Sequence, residues 1–314
     1  MKTSTSKRLR WNVAIWLAAG LFMTSTAGMA SGPILPDPKA EARHHPQIEE
    51  TANGIPLVNI TAPSSGGVSR NEYEMFNVPD KGAILNNSYT LSKTELAGYV
   101  PGNNNMAERP AKIIVNEVTG TGSTSMDGFL EVAGNRADVV IANPNGITVN
   151  GGGFINTGKA FLTTGKPVYD GEDHLQRFDI TGGDILIEGK GLGGKETESL
   201  AILSRAVKIN AGIWAEDLHI PTGANTVDAK TLEASAIEGK GGRPAFALDT
   251  AAIGGMYAGR ITLVGTEKGL GVNNSGTWSA EDNLTLDWNG DLKNSGTIYS
   301  KGNTDLRASR LEND

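Results

Sequence analysis

Apolar residues in this chain come in short runs, each closed off by Gly, Asn, Asp or Ser. IPLVNI (55–60), AKIIVNEV (111–118), ADVVIAN (137–143), GDILIEG (183–189), RAVKINAGIWA (205–215) and RITLVG (260–265) are the clearest. Their β-branched content suits pleated, half-buried strands, and the punctuation between them suits tight turns. No long stretch holds a 3.6-residue period between two helix caps. One segment, ESLAILSRAVK (198–208), reads equally as a short helix or as two strands.

The end of the chain repeats. Val272-Asn273-Asn274-Ser275-Gly276-Thr277-Trp278 aligns with Leu292-Lys293-Asn294-Ser295-Gly296-Thr297-Ile298 at an offset of 20 residues, and Asn283 and Leu286 then match Asn303 and Leu306. A period near 20 built of strands and Gly/Asn turns predicts a β-solenoid, with asparagines stacking as a ladder from coil to coil. One coil cannot bury its own apolar face, so solenoids need neighbours and caps. Leu311-Glu312-Asn313-Asp314 reads as the opening of a third copy, from which a longer natural protein is expected.

The first 30 residues have a different pattern. Lys2, Lys7, Arg8 and Arg10 precede an apolar run, VAIWLAAGLFM (13–23), and small residues follow at Gly28 and Ala30. This predicts a secretory signal peptide over 1–30, cleaved after Ala30 or Ala27; the run is well short of the ~20 residues that span a bilayer. Residues 31–50 are Pro-rich and polar, and are expected to be a linker in which His44 and His45 are solvated. The remaining divisions expected are a strand-rich domain over 51–265 and solenoid repeats from 266 to 314.

Composition sharpens this picture. Of 314 residues 41 are Gly, about twice the ~7% of an ordinary chain, and 25 are Asn. The chain beyond residue 30 has 24 Lys and Arg against 35 Asp and Glu, a net charge of −11, which argues against a nucleic-acid partner. There is no Cys. In an exported chain this fits either passage through an oxidising compartment in unfolded form or chance.

Catalytic signals are weak. Gly189-Lys190-Gly191-Leu192-Gly193-Gly194 matches G-x-G-x-x-G, but a dinucleotide site also needs a βαβ unit, so a flexible turn is the better reading. Acidic residues are scattered at turns instead of paired, and no nucleophile motif or metal-ligand spacing occurs. No catalytic residue, metal or cofactor is expected. An adhesin or a β-helix polysaccharide hydrolase stands as an alternative; neither an RGD triplet nor an aromatic sugar platform is legible for the first.

Asn143-Pro144-Asn145-Gly146 directly follows the apolar VVIA. Those residue types in that order suit a type I turn. Physics alone leaves open whether the segment is only a turn or also a recognition signal.

The stretches 54–88, 111–120, 128–167 and 246–272 together resemble the N-terminal two-partner secretion domain of filamentous haemagglutinin-like exoproteins, in the branch of contact-dependent growth inhibition toxins. The likeness covers roughly residues 50–310. It implies an all-β, right-handed parallel β-helix with N-terminal capping strands and extra-helical hairpins. It also implies export by the Sec machinery, then recognition by an outer-membrane β-barrel transporter with POTRA domains. The destination would be the medium or the surface of a Gram-negative bacterium by way of the periplasm. Regions downstream would meet any target-cell receptor. The family's N-P-N-G-I signature falls on Asn143, Pro144, Asn145, Gly146 and Ile147. A second element falls on Phe76, Asn77, Val78, Leu85, Asn86, Asn87 and Ser88. Where many of the toxin branch have a Cys pair, this chain has Val149 and Gly152.

Overall fold

A computed structural model describes residues 33–314; the expected signal peptide lies outside them. Among the described residues there is no α-helix, only two three-residue 3-10 turns at Ala42–His44 and Asn104–Met106. The strands wind into a parallel β-helix with three faces. On the third face eight strands stack in chain order, from Thr124–Met126 and Ile147–Val149 up to Asp291–Asn294 and Arg310–Asn313, every neighbour parallel. The first face runs from Pro56–Asn59 through Ala83–Asn87 and Phe129–Gly134 to Thr297–Ser300. The second runs from Val68–Phe76 through Ile113–Val118 and Ala137–Ala142 to Thr304–Arg307. The long strands Gly212–Thr222 and Gly255–Gly265 bend across both.

Successive side chains point alternately into and out of the helix. Val139 and Ile141 join the central core, with Ile114 in the coil before and Leu162 and Ile202 in the two coils after. Val140, between them, points outward yet is buried, because a four-stranded antiparallel sheet covers this side of the helix. That sheet is built from Lys166–Tyr169, Leu175–Ile180, Asn225–Asp228 and Ala234–Ala236, and its Phe178 packs 5.8 Å from Phe161. A smaller hairpin, Ser92–Thr94 with Gly98–Val100, shelters Leu57, Ile84 and Ala133 on the first face. Covered strands therefore read as unbroken apolar runs, whereas the later, uncovered ones alternate. The core is continuous through residue 265 into the repeats, from Met256 to Trp278, Leu286 and Leu292.

The stretch 31–50 is not the linker expected from its prolines. Ile34–Pro36 pairs antiparallel with Val68–Phe76, and Gln47–Glu50 pairs antiparallel with Pro56–Asn59. These two strands cap the open edges of the first coil on two faces. Proline is compatible with such terminal strands because an outer edge needs no N–H donor. His44, expected to be solvated, is buried, with Nδ1 3.0 Å from Glu72 Oε1; His45 is exposed. Arg70 lies 2.9 Å from Glu72 and 3.2 Å from Glu117 in the next coil, and its guanidinium stands 4.6 Å over the Tyr169 ring. Burial pushes the Glu117 carboxyl up, against the pull of Arg70. The ambiguous segment 198–208 forms two strands, Ser199–Leu203 and Ala206–Ile209, with a corner at Ser204 and Arg205.

The repeat stacks in the register its alignment implies. Thr277, Trp278 and Leu286 lie against Thr297, Ile298 and Leu306. Asn274 Nδ2 donates to Asn294 Oδ1 at 2.7 Å, and Asn294 Nδ2 donates to Asn313 Oδ1 at 2.6 Å. Substituting Asn294→Ala removes the middle rung and leaves the buried Asn274 amide short of a partner. We expect roughly 1–3 kcal/mol of destabilisation. Because coupling between coils is local, hydrogen exchange should rise over residues 271–313 and stay unchanged over 113–142.

A second outcome concerns pH. Burial first, then the Arg70 charge, hold the His44 imidazole below its ordinary 6.5. The unfolded chain then takes up a proton that the folded one refuses, so stability falls as pH drops below that value. Chemical denaturation between about pH 7 and pH 5 should show this loss, to which His219, also held down by burial, contributes, and His44→Gln should reduce it.

Candidate functional site

The Asn143–Ile147 segment forms the corner between the second and third faces. The apolar strand Ala137–Ala142 ends there, and Asn143 N–H donates to Thr163 O in the next coil at 2.9 Å. Asn143 Oδ1 then accepts from Asn145 N at 2.9 Å, and Gly146 N donates to Asn143 O at 3.1 Å, closing the β-turn that the residue types predict. Gly146 has φ +110°, a conformation L side chains resist, and an added Cβ would stand 3.1 Å from Asp184 O. Ile147 re-enters the core as the first residue of Ile147–Val149.

The corner also ties this coil to the preceding one. Asn143 Nδ2 donates to Gly122 O at 2.9 Å and to Thr124 Oγ1 at 3.0 Å. Asn145 Nδ2 donates to Gly120 O at 2.8 Å. Asn143 is fully buried and hydrogen-bonded through both its oxygen and its amide nitrogen, whereas Pro144 and Asn145 face solvent. The folded surface thus presents only two of the five motif residues.

The second element is divided between two places. Asn77 Oδ1 accepts from Ser125 N at 2.9 Å, beside the Thr124 hydroxyl that Asn143 holds. Asn77 and Asn143 therefore grip the same short strand, Thr124–Met126, from the coils on either side. Asn86, Asn87 and Ser88 lie elsewhere, at the corner between the first and second faces. Asn86 Nδ2 donates to Asn59 Oδ1 at 2.8 Å and to Pro101 O at 2.9 Å. Asn87 Nδ2 donates to Ala111 O at 2.9 Å and Asn135 O at 2.8 Å, and its Oδ1 accepts from Ala111 N at 2.7 Å. Ser88 Oγ closes a local turn onto Thr90 O at 2.9 Å. Phe76 packs 4.8 Å from Tyr73 in the core, where Val78 and Leu85 also lie.

Other residues of this kind are not singled out by the sequence. Asn103 Nδ2 donates to Ile60 O and Asn86 O, each at 2.9 Å, and Asn105 Nδ2 also reaches Ile60 O at 2.9 Å. Their one visible signal is the Asn-Asn-Asn run itself. Glu131, which is buried, accepts from Glu95 N at 2.7 Å and Leu96 N at 2.9 Å, anchoring the small hairpin; burial pushes its carboxyl up, and these two donors pull it back. Arg205, also buried, clasps Glu267 at 2.9 and 3.0 Å and donates to Lys240 O at 2.7 Å, fastening the loop that follows the four-stranded sheet. Hydrogen bonding to Arg205 holds the Glu267 carboxyl below its usual range.

The geometry offers little chemistry. Among the described residues no group of three His, Cys, Asp or Glu side chains is placed to hold a metal. The glycine-rich 189–194 is a corner followed by the strand Leu192–Gly194, so it presents no helix N-terminus to a phosphate. Val149 and Gly152 adjoin: Val149 Cγ1 is 3.0 Å from where a Gly152 Cβ would stand, and the Met126 side chain fills the remaining space. An apolar contact thus occupies these positions in this chain.

Comparison with known proteins agrees with this architecture. A family model described as TPS secretion domain matches residues 33–298. The chain is 42% identical over 298 residues to "Toxin CdiA" of Yersinia pestis, covering 88% of this chain and 9% of that protein. It is 43% identical over 280 residues to "16S rRNA endonuclease CdiA" of Enterobacter cloacae, covering 88% and 8%. It thus spans less than a tenth of the length of these curated relatives. The crystal structure of a filamentous hemagglutinin secretion domain superposes with a TM-score of 0.75 at 32% identity, covering 89% of this chain and 96% of that one. The match over nearly all the described residues, with the β-helix and its capping strands in place, makes the chain a member of the TPS secretion domain family.

Proposed function

We propose that this domain heads a large exoprotein of the toxin or adhesin type. It would be delivered to the periplasm by the Sec machinery and read there by the POTRA domains of a dedicated outer-membrane transporter. The observation that carries this reading is the direction built into the fold. Caps seal the N-terminal coil on two faces, and each later coil finds its backbone partners on the coil before it. A chain emerging N-terminus first can therefore fold as it appears, each coil templating the next.

This offers a source of directional free energy at a membrane without nucleotide. Net stability is ~0.05–0.15 kcal/mol per residue, so a 20-residue coil contributes roughly 1–3 kcal/mol. A step of a few RT, repeated, biases threading outward. Disulfides formed on the inner side would block that passage, which agrees with a chain that has none.

The burial of Asn143, Gly146 and Ile147 restricts how the signature is read. The transporter meets these residues before the corner forms, as extended chain, and the same side chains afterwards hold the corner together. Recognition and folding thus use one set of groups in sequence.

Two outcomes follow. Co-expression with the cognate transporter should place the domain in the medium, and omission of the transporter should leave it cell-associated; equal extracellular yields would overturn the reading. Asn143→Ala should lower both secretion and stability, the latter by roughly 1–3 kcal/mol, since it strips buried partners. Asn145→Ala, at a solvent-facing position, should cost under about 1 kcal/mol of stability while still cutting secretion several-fold. Secretion that merely tracks stability across the two variants would reduce the motif to a corner.

A further inference from the structure

The first face carries an outward row of aromatic residues that the sequence scatters over 170 positions. Register places Phe129, Gly153, Gly193, Trp214, Tyr257, Ser279 and Tyr299 one above another in seven successive coils. Strand spacing of ~4.8 Å makes the row roughly 29 Å long. Phe129, Tyr257 and Tyr299 are 43%, 39% and 51% exposed, and Trp214 is half-buried.

The rings lie down on the sheet, which glycine permits. A Cβ on Gly153 would meet the Phe129 ring at 2.4 Å, one on Gly212 the Trp214 ring at 2.5 Å, and one on Gly255 the Tyr257 ring at 2.8 Å. Trp214 and Tyr257 are 6.2 Å apart with planes within 16° of parallel. Flat apolar faces are thus offered to solvent along a line one residue wide. Their polar ends are unengaged: among the described residues no protein group bonds the Trp214 N–H or the Tyr257 and Tyr299 hydroxyls. By contrast the buried Trp278 and Trp288 donate to Thr250 Oγ1 and Leu270 O.

Charged groups of both signs flank the row, with exposed Lys195 two residues beyond Gly193 and Lys301 two beyond Tyr299. The Glu216 carboxylate stands 3.2 Å from where a Gly259 Cβ would be, two residues beyond Tyr257, and Glu281 follows Ser279 by two residues and pairs with Lys301. Aromatic faces with carboxylate acceptors beside them suit a ligand that is apolar on its ring faces and hydroxylated at its edges. The charges beside the row are of both signs and form no cluster of cations, which, on a chain whose net charge beyond residue 30 is −11, disfavours phosphorylated or sulfated partners. A narrow line with rings in four of seven successive coils matches a linear polymer better than a globular protein, whose interface would need a broader patch.

We propose that this row binds an uncharged polysaccharide, a chain of neutral hexoses lying along the helix axis with sugar faces on Trp214, Tyr257 and Tyr299. The secreted chain should be titrated with cellohexaose, laminarihexaose and chitohexaose, and with heparin as a polyanion, while tryptophan emission is followed. Of Trp214, Trp278 and Trp288 only Trp214 reaches the surface, so it reports occupancy. At least one neutral hexasaccharide should shift the emission saturably, and heparin should not. Trp214→Leu keeps apolar cover on the sheet, and Tyr257→Ala and Tyr299→Ala each remove one face. Each should weaken binding about tenfold without altering the thermal transition. Should Trp214→Leu fail to fold, Tyr299→Ala, the most exposed of these positions, gives the same test by calorimetry. The proposal is overturned by no saturable binding at millimolar sugar, by equal affinity in the variants, or by binding of heparin alone. Loss of secretion in the variants without any sugar binding would assign the row to the transporter, and would also overturn it.

Discussion

Every strand of a parallel β-helix takes its backbone hydrogen bonds from the coil below and the coil above, so the first coil begins with an unpaired edge on each face. An open edge of this kind templates aggregation as readily as folding. Here two short antiparallel strands close it on two of the three faces, one on Val68–Phe76 and one on Pro56–Asn59. The cap is fastened by charge as well as by backbone. Buried His44 reaches Glu72, Arg70 bridges Glu72 and Glu117, and Tyr169 of the four-stranded sheet lies beneath the Arg70 guanidinium. Cap, first coil, second coil and covering sheet meet at one cluster, and all later coils build on that end.

Once the edge is closed, the recurring problem is the corner. At each bend the chain leaves one sheet for another, and buried N–H and C=O groups lose their ladder partners. Asparagine answers this economically, because one short side chain carries both donor and acceptor. Asn143, Asn87 and Asn103 each bond backbone in a coil or loop other than their own, and Asn274 and Asn294 bond each other across coils. The N-P-N-G segment is thus a structural device whatever else reads it, which explains why its chemistry alone could not separate turn from signal.

The outer surface of the helix is treated unevenly. Near the N-terminal end both outward apolar faces are roofed, one by the small hairpin and one by the four-stranded sheet. Between Phe129 and Tyr299 the first face instead carries flat rings seated on glycines and left open. Much of the glycine excess is accounted for by corners and by these ring seats.

The sequence by itself determined the strands, the turns between them and the 20-residue stacking of the last coils, because β-branched runs, Gly/Asn punctuation and the repeat are local signals. It also carried the family resemblance, through long motifs such as 128–167. It misjudged residues 31–50, where prolines and charges read as a linker. Nothing local in Ile34–Pro36 or Gln47–Glu50 reveals that an unpaired strand edge waits for it. It was silent on the grip that Asn77 and Asn143 share on Thr124–Met126, and on the alignment of Phe129 with Trp214, Tyr257 and Tyr299. Those relations depend on how many residues each coil and each excursion contains. From Phe129 to Thr277 the coils are interrupted by insertions of unequal length, so no fixed spacing exists to be read. Only closing the backbone ladder from coil to coil sets the register, and register decides which distant side chains become neighbours.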